Sequence, residues 1–367
     1  MNLIYATCFL DISGVTKINF DILRRIKSDC NIHVCVTERD DHLDSTWNLR
    51  FAETFGGCLK LWKLEASSRY RNFVDYVRDH RIELVFNVHS LWLYKNAARL
   101  KRDCPELKIV DALHVLEPCR LRGGAPDISA NRFVHPYMDK TILISDDLRR
   151  YLIRNYKVDA AKYVIVKNGI ETARFMERKV GNRILREELG VPEGCRLVGF
   201  IGRFTEQKRP LLFLEVICRI LLQRDDVRFY MLGDGPLLPE LKRRIASLKV
   251  TASVTLLPPR DDIPDVLDST DLLVLTSLYE GAPLTILEAL ACGVPVVASD
   301  VGAIREYASA GCNLVAADPR RGEADRLVEA MLGCFAQKDA PKFDATYFDM
   351  SRVAAEYLEV FRSVFST

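Results

Sequence analysis

The stretch EGAPLTILEALACGVPVV, residues 280–297, decides how the rest of the chain is read. Two carboxylates, Glu280 and Glu288, bracket seven residues. Gly281 and Pro283 favour a turn, and the apolar run from Leu284 onward predicts a helix. Glu280 therefore belongs to a loop and Glu288 to a helix, about one turn past Thr285. Upstream, DLLVLT (271–276) is a short apolar run ending in a turn, as expected of a buried parallel strand. Residues 295–298 predict a second strand after the helix. A helix N-terminus aimed off a strand's carboxyl end presents free N–H groups and a positive partial charge, which suits a phosphate. Gly281, Ala282, Pro283, Leu284 and Thr285 make up that approach. Glu288 lies among Leu287, Ala289 and Leu290, where a carboxylate is costly unless something pairs with it. The vicinal hydroxyls of a ribose are a suitable partner.

Outward from this stretch, strands and helices alternate. Strands are expected at 2–10, 32–37, 58–64, 82–88, 107–113, 140–145 and 162–167, with a polar loop between the second and third. Helices are expected at 15–26, 70–80, 91–102 and 146–156. Alternation restarts after a polar linker at 177–188: strands at 196–202, 227–232 and 254–257, helices at 210–222 and 237–248. Two such arrays predict two Rossmann-like, doubly wound α/β domains whose ligands bind beyond the strand carboxyl ends, in a cleft between them. From 318 the chain is mostly helical, and Val353, Tyr357, Val360, Phe361 and Val364 recur at helical spacing.

Two further features carry chemistry. GRFTEQKRP (202–210) sets Arg203 and Lys208 five residues apart at a strand end. Two cations there, facing the helix that begins near Leu284, would neutralise a diphosphate from two sides. Gly14, in the turn after the first strand, would let a ligand's phosphates approach the backbone. His89 and His114 both fall at strand carboxyl ends. His89 is read as structural.

Composition narrows the class. The chain has 367 residues, 49% apolar and 28% charged, enough for two domains with separate cores. Residues 1–182 carry 30 Lys+Arg and 23 Asp+Glu, a net +7, and the remainder is −5. That asymmetry suits an anionic acceptor or a membrane surface and is too mild for nucleic acid. Eleven cysteines without a C-x-x-C pair or a Cys/His metal spacing read as reduced core thiols of a cytoplasmic protein. No basic leader precedes the first apolar run, and no window reaches about twenty apolar residues, so neither a signal peptide nor a membrane span is expected.

The Glu280–Glu288 spacing resembles the Glu, seven residues, Glu motif of retaining GT-B glycosyltransferases, in particular family 4 (glycosyl transferases group 1). GRFTEQKRP resembles that family's Gly-Arg turn with a following lysine, and MLGDGPL (231–237) its next strand-end glycine turn. LLPPRDDIPDVLDSTD (256–271) resembles the segment near the nucleotide base, VKNGIETARF (166–175) the interdomain exit, and VDALHVLEP (110–118) the place of a histidine touching the donor sugar. What the resemblance implies is a GT-B fold: residues 1–178 form an acceptor-side domain, 185–345 a donor-side domain, and a C-terminal helix over 349–367 crosses back onto the first. It implies transfer of a sugar from a nucleotide-diphosphate donor to a glycan or lipid-linked acceptor, with retention. Glu280 and His114 would be catalytic; Gly14, Arg203, Lys208, Gly281, Ala282, Pro283, Leu284, Thr285 and Glu288 would bind the donor. No Asp-x-Asp pair is present to hold a metal, and no cofactor is expected. The basic loop LRGGAPDIS (121–129), flanked by Arg120, would close on the acceptor, with peripheral contact to the inner membrane through the first domain. The alternatives are a sugar-nucleotide epimerase on the same scaffold and a catalytically silent carbohydrate-binding protein.

Overall fold

The computed structural model describes all residues except 9, 11–13, 39–44, 115–133, 157, 178–182, 311, 319–321, 337–342 and 367. The described chain divides into two compact units, Met1–Gly169 with Met350–Thr367, and Ile170–Asp349. The first unit runs β1 (Asn2–Thr7), α1 (Gly14–Ile26), β2 (Asn31–Val36), α2 (Ser45–Phe55), β3 (Cys58–Lys60), α3 (Arg69–Asp79) and β4 (Leu84–Val88). It continues through α4 (Leu91–Asp103), β5 (Lys108–Leu113), β6 (Lys140–Leu143), α5 (Asp146–Tyr156) and β7 (Tyr163–Ile165). Its seven strands are all parallel, in the order β3-β2-β1-β4-β5-β6-β7. Tyr5 of β1 lies opposite Val34 on one side and Phe86 on the other. Every residue of β4 is buried, which is why LVFNV reads as an unbroken run rather than an alternating one.

The second unit runs α6 (Thr172–Met176), α7 (Ile184–Glu188), β8 (Arg196–Ile201), α8 (Pro210–Leu221), β9 (Val227–Leu232), α9 (Leu238–Ser247) and β10 (Val254–Leu257). Then come α10 (Ile263–Asp268), β11 (Leu272–Leu275), α11 (Leu284–Ala291), β12 (Val296–Ser299), β13 (Cys312–Val315) and α12 (Glu323–Ala336). These six strands are also parallel, in the order β10-β9-β8-β11-β12-β13. One face is filled by Phe200, Phe213, Ile217, Phe229 and Met231 against Leu327 and Met331 of α12. Short α6 belongs here because Phe175 is buried, its carbonyl lies 3.9 Å from Cys292 Sγ, and Thr172 Oγ1 donates to Asp349 at 2.5 Å.

The last helix, α13 (Met350–Ser363), belongs to the first unit, as the expected crossing-back requires. It lies along α1, and its Tyr357 and Phe361 rings sit 5.7 and 5.0 Å from Phe86. Arg362 adds an exposed pair to Asp29 at 2.8 Å.

Three readings of the sequence are corrected. The expected polar loop before β3 contains α2, because Trp47, Phe51 and Phe55 recur every fourth residue and surround Phe20, with Phe51 stacked on Tyr5 at 5.8 Å. The strand expected over 58–64 stops at Lys60 and turns into a 3-10 segment, Leu61–Lys63. Strand β13, not expected, pairs with β12 at the edge of the second sheet. No disulfide joins the nine cysteines whose side chains are described, and among the described residues no helix is long and apolar enough to cross a membrane.

Candidate functional site

In each sheet the strand order reverses once, between β1 and β4 and between β8 and β11. At such a switch point the loops leaving two neighbouring strands depart in opposite directions and open a crevice beyond the carboxyl ends. In the second unit those loops are residues 202–209 and 276–283, which hold the two motifs singled out above.

The two loops are tied together by their backbones. Leu278 N donates to Gln207 O at 2.7 Å, and Thr276 Oγ1 reaches the carbonyls of Lys208 and Arg209, each at 3.0 Å. Lys208 Nζ pairs with Glu280 Oε1, and the same carboxylate oxygen accepts from Ser277 Oγ at 2.6 Å. The Glu280 side chain is 6% exposed and that of Lys208 18%, so the pair is largely withdrawn from water. Arg203 is exposed and joins the group through Gln207: its Nη2 donates to Gln207 Oε1 at 3.3 Å, and Gln207 Nε2 donates to Tyr279 O at 3.1 Å. Arg203, Lys208 and Glu280 thus share one end of the sheet.

The turn after β12 braces Glu280 from below. Ala303 N donates to Gly281 O at 3.0 Å, and Gly302 holds φ +57° with its α-carbon against the Glu280 carbonyl. A Cβ there would stand 2.0 Å from that oxygen, so only glycine fits. Helix α11 begins after Pro283, which is extended and gives no side-chain cap; Ile286 N donates to Pro283 O at 3.2 Å, and the N–H groups of Leu284 and Thr285 stand at the helix start. Ala282 and Pro283 are buried, while Leu284 and Thr285 are half-buried. Glu288 is buried in α11 between Leu287 and Ala289.

Arg209 was missed by the sequence reading and is the most connected side chain of this region. It takes a left-handed backbone (φ 47°, ψ 54°) immediately before Pro210 opens α8. That conformation costs a non-glycine residue about 1–2 kcal/mol. Its guanidinium donates to the carbonyls of Thr276 (2.5 Å) and Ser277 (3.1 Å), to Ser299 Oγ (3.1 Å), and in two-pronged fashion to Glu323 (2.6 and 2.9 Å). Ser299 Oγ in turn donates to Glu323 at 2.8 Å. Ser277, Ser299, Gly302 and Glu323 were missed as well. Arg209 sits inside GRFTEQKRP, but nothing in the sequence links it to a glutamate 114 positions away.

The first unit carries the remaining expected residues. His114 follows β5 and is 3% exposed; Asn19 Nδ2, which donates to Val15 O at 2.8 Å, lies 3.3 Å from His114 Nε2. The amide therefore donates to Nε2 and the ring proton resides on Nδ1. Burial, and secondarily the neighbouring His89, push the His114 pKa down to about 3, so the ring is neutral at pH 7. His89 follows β4 in a left-handed conformation (φ 60°), its ring 6.2 Å from His114, with Cys8 Sγ donating to its carbonyl at 2.7 Å. Gly14 is exposed at the start of α1. Arg120 and the 121–129 loop lie outside the described residues.

Two doubly wound parallel sheets, with the last helix returned to the first unit, define a protein of the GT-B fold. The profile described as "Glycosyl transferases group 1" matches residues 195–337, and "Glycosyltransferase Family 4" matches 12–174. The chain belongs to this family of glycosyltransferases. It is similar to the D-inositol 3-phosphate glycosyltransferase of Mycobacterium leprae, 31% identical over 228 residues that make up 61% of this chain and 48% of the relative. A second relative is the Escherichia coli UDP-Gal:alpha-D-GlcNAc-diphosphoundecaprenol alpha-1,3-galactosyltransferase, 30% identical over 44% of this chain and 43% of its own. The chain thus spans about half the length of these curated relatives. Anabaena HepE in complex with UDP and glucose shares the fold with a TM-score of 0.81 and 18% identity, covering 99% of this chain and 100% of HepE.

Proposed function

We propose that this chain transfers a sugar from a nucleoside-diphosphate sugar to a hydroxyl of a glycan or lipid-linked acceptor, with retention at the anomeric carbon. The observation that carries the reading is the Lys208–Glu280–Ser277 group at the second unit's switch point, beside the open N-terminus of α11. The second unit takes the donor and the first the acceptor. As the bond between the anomeric carbon and the diphosphate breaks, negative charge gathers on the leaving oxygens and positive charge on the sugar ring. Lys208, Arg203 and the N–H groups at Leu284 and Thr285 receive the diphosphate, with Gly281 and Ala282 letting it approach. Glu280 orients the sugar and supports its positive charge. The acceptor oxygen forms the new bond on the face the diphosphate leaves, and its proton passes to a departing phosphate oxygen. Glu288 holds the ribose. His114, neutral, donates from Nδ1 to a sugar hydroxyl, and Gly14 lets the donor approach the first unit's backbone.

No metal enters this scheme, because the cations and the helix start supply the positive charge. The relatives' UDP and UDP-Gal support a uridine donor and a hexosyl group, and the galactosyltransferase supports a lipid-linked acceptor for polysaccharide or glycolipid synthesis. The net +7 of residues 1–182 supports cytoplasmic work at the inner membrane face.

The test is a panel of UDP-, GDP-, dTDP- and ADP-sugars with lipid-linked and free glycan acceptors. One donor should release its nucleotide with formation of a glycoside of the donor's own anomeric configuration, unaffected by EDTA. An inverted anomer, an EDTA-sensitive rate or an epimerised donor without transfer would each remove part of the proposal.

A further inference from the structure

We infer that Arg209 and Glu323 form a positioning clamp that sets the spacing of Lys208 and Glu280. The inference rests on the glycosyl-transfer reading for its consequence in turnover, and on the side-chain network alone for its geometry.

Three segments converge on one guanidinium. It holds the carbonyls of Thr276 and Ser277 at the end of β11, Ser299 at the end of β12 and Glu323 at the start of α12. Arg209 itself follows Lys208, so the same residue fixes where the Lys208 stem leaves the backbone. The return bonds run from Thr276 Oγ1 to the carbonyls of Lys208 and Arg209. On the other side, the held residue Ser277 donates to Glu280. Lys208 is therefore the covalent neighbour of Arg209, and Glu280 is reached from the guanidinium by two hydrogen bonds through Ser277.

Four features support the clamp. A planar fork can take a two-pronged carboxylate on one edge and carbonyls on the other, which an ammonium cannot. The pair is buried, with Glu323 2% and Arg209 13% exposed, so both charges need each other and the surrounding dipoles. Glu323 also stands at a helix start, where its charge is favoured. Finally, the left-handed backbone at Arg209 is tolerated without glycine, so the guanidinium's contacts offset the strain. Neither side chain bonds to Lys208 Nζ or to the Glu280 carboxylate; both act through Ser277, Thr276 and the backbone of Lys208.

The experiment uses the full-length protein with Arg209→Gly, which suits the left-handed backbone and removes only the side chain. Hydrogen exchange is followed at residues 276–281, and kcat and KM are measured with the donor the wild type accepts. The expected result is faster exchange at 276–281 and a kcat lowered about 100-fold with donor KM little changed, since misplacement by about 1 Å is felt chiefly in the transition state. Added guanidinium at millimolar concentration should restore part of kcat, which a merely structural loss would not show. Should Arg209→Gly fail to fold, Arg209→Met with Glu323→Leu removes both charges at similar volume and is read in the same way. Wild-type exchange at 276–281 together with wild-type kcat in either variant overturns the clamp. If the wild type turns over no nucleotide sugar, the glycosyl-transfer reading fails, and the exchange measurement alone decides the clamp.

Discussion

Lys208 and Glu280 occupy one short contact, and each explains why the other is tolerated out of water. Replacing Lys208 with Ala should lower kcat for sugar transfer by about 10²–10³, the size of effect seen when one donor to a developing anion is removed. Steady-state kinetics with the accepted donor checks it, and an unchanged kcat would dissociate Lys208 from the leaving group. Glu288→Ala should instead weaken nucleotide-sugar binding, and a wild-type dissociation constant by calorimetry would remove the ribose assignment. His114 makes a prediction about pH. Its folded pKa of about 3 lies below the unfolded value near 6.5, so between these values the unfolded chain binds the extra proton. The stability it contributes is present above pH 6.5 and is lost as the pH falls toward 3, at up to about 1.4 kcal/mol per pH unit. Urea midpoints at pH 7 and 5.5 should therefore fall more for the wild type than for His114→Asn, because His33 and His135, also held low by burial, act equally in both. Arg203, Lys208, Glu280 and Glu288 were legible in the sequence because their spacing within two short stretches carries the signal. Glu323 and Ser299 were not, because their partner is distant in the chain and a lone glutamate at a helix start looks like any other.

At the scale of elements, most strands were legible from unbroken apolar runs bounded by turns, of which β4 is the clearest. Two elements were hidden for opposite reasons. Helix α2 is flanked by polar residues and draws its identity from three aromatic residues that acquire meaning only against Phe20 and Tyr5. Phe51 is the buried member, and Phe51→Ala should cost about 3–5 kcal/mol by chemical denaturation. Strand β13 is short and sits at a sheet edge, where CNLV offers little pattern. The turn after β12 is legible only in three dimensions, because the need for glycine at 302 comes from the Glu280 carbonyl. Gly302→Ala should destabilise the second unit by at least about 1–3 kcal/mol, the cost of the left-handed backbone to which the clash with the Glu280 carbonyl adds, read as a lowered thermal midpoint. A wild-type midpoint would mean that the turn relaxes freely.

At the scale of the whole molecule, the second unit is one continuous segment whose ends meet: Ile170 bridges Asp349, and its N–H donates to Phe348 O at 2.8 Å. Residues 170–349, with their own sheet and core, should fold when expressed alone and melt cooperatively by calorimetry. The first unit is split by that segment, and α13 supplies the side chains that lie against α1 and Phe86. On the ribosome this order has a cost in time. At about 5–20 residues per second, the segment Ile170–Asp349 takes roughly 10–40 s to translate. Throughout that interval the first half lacks the helix that packs along α1 and against Phe86, so the unit can close only once α13 has been made.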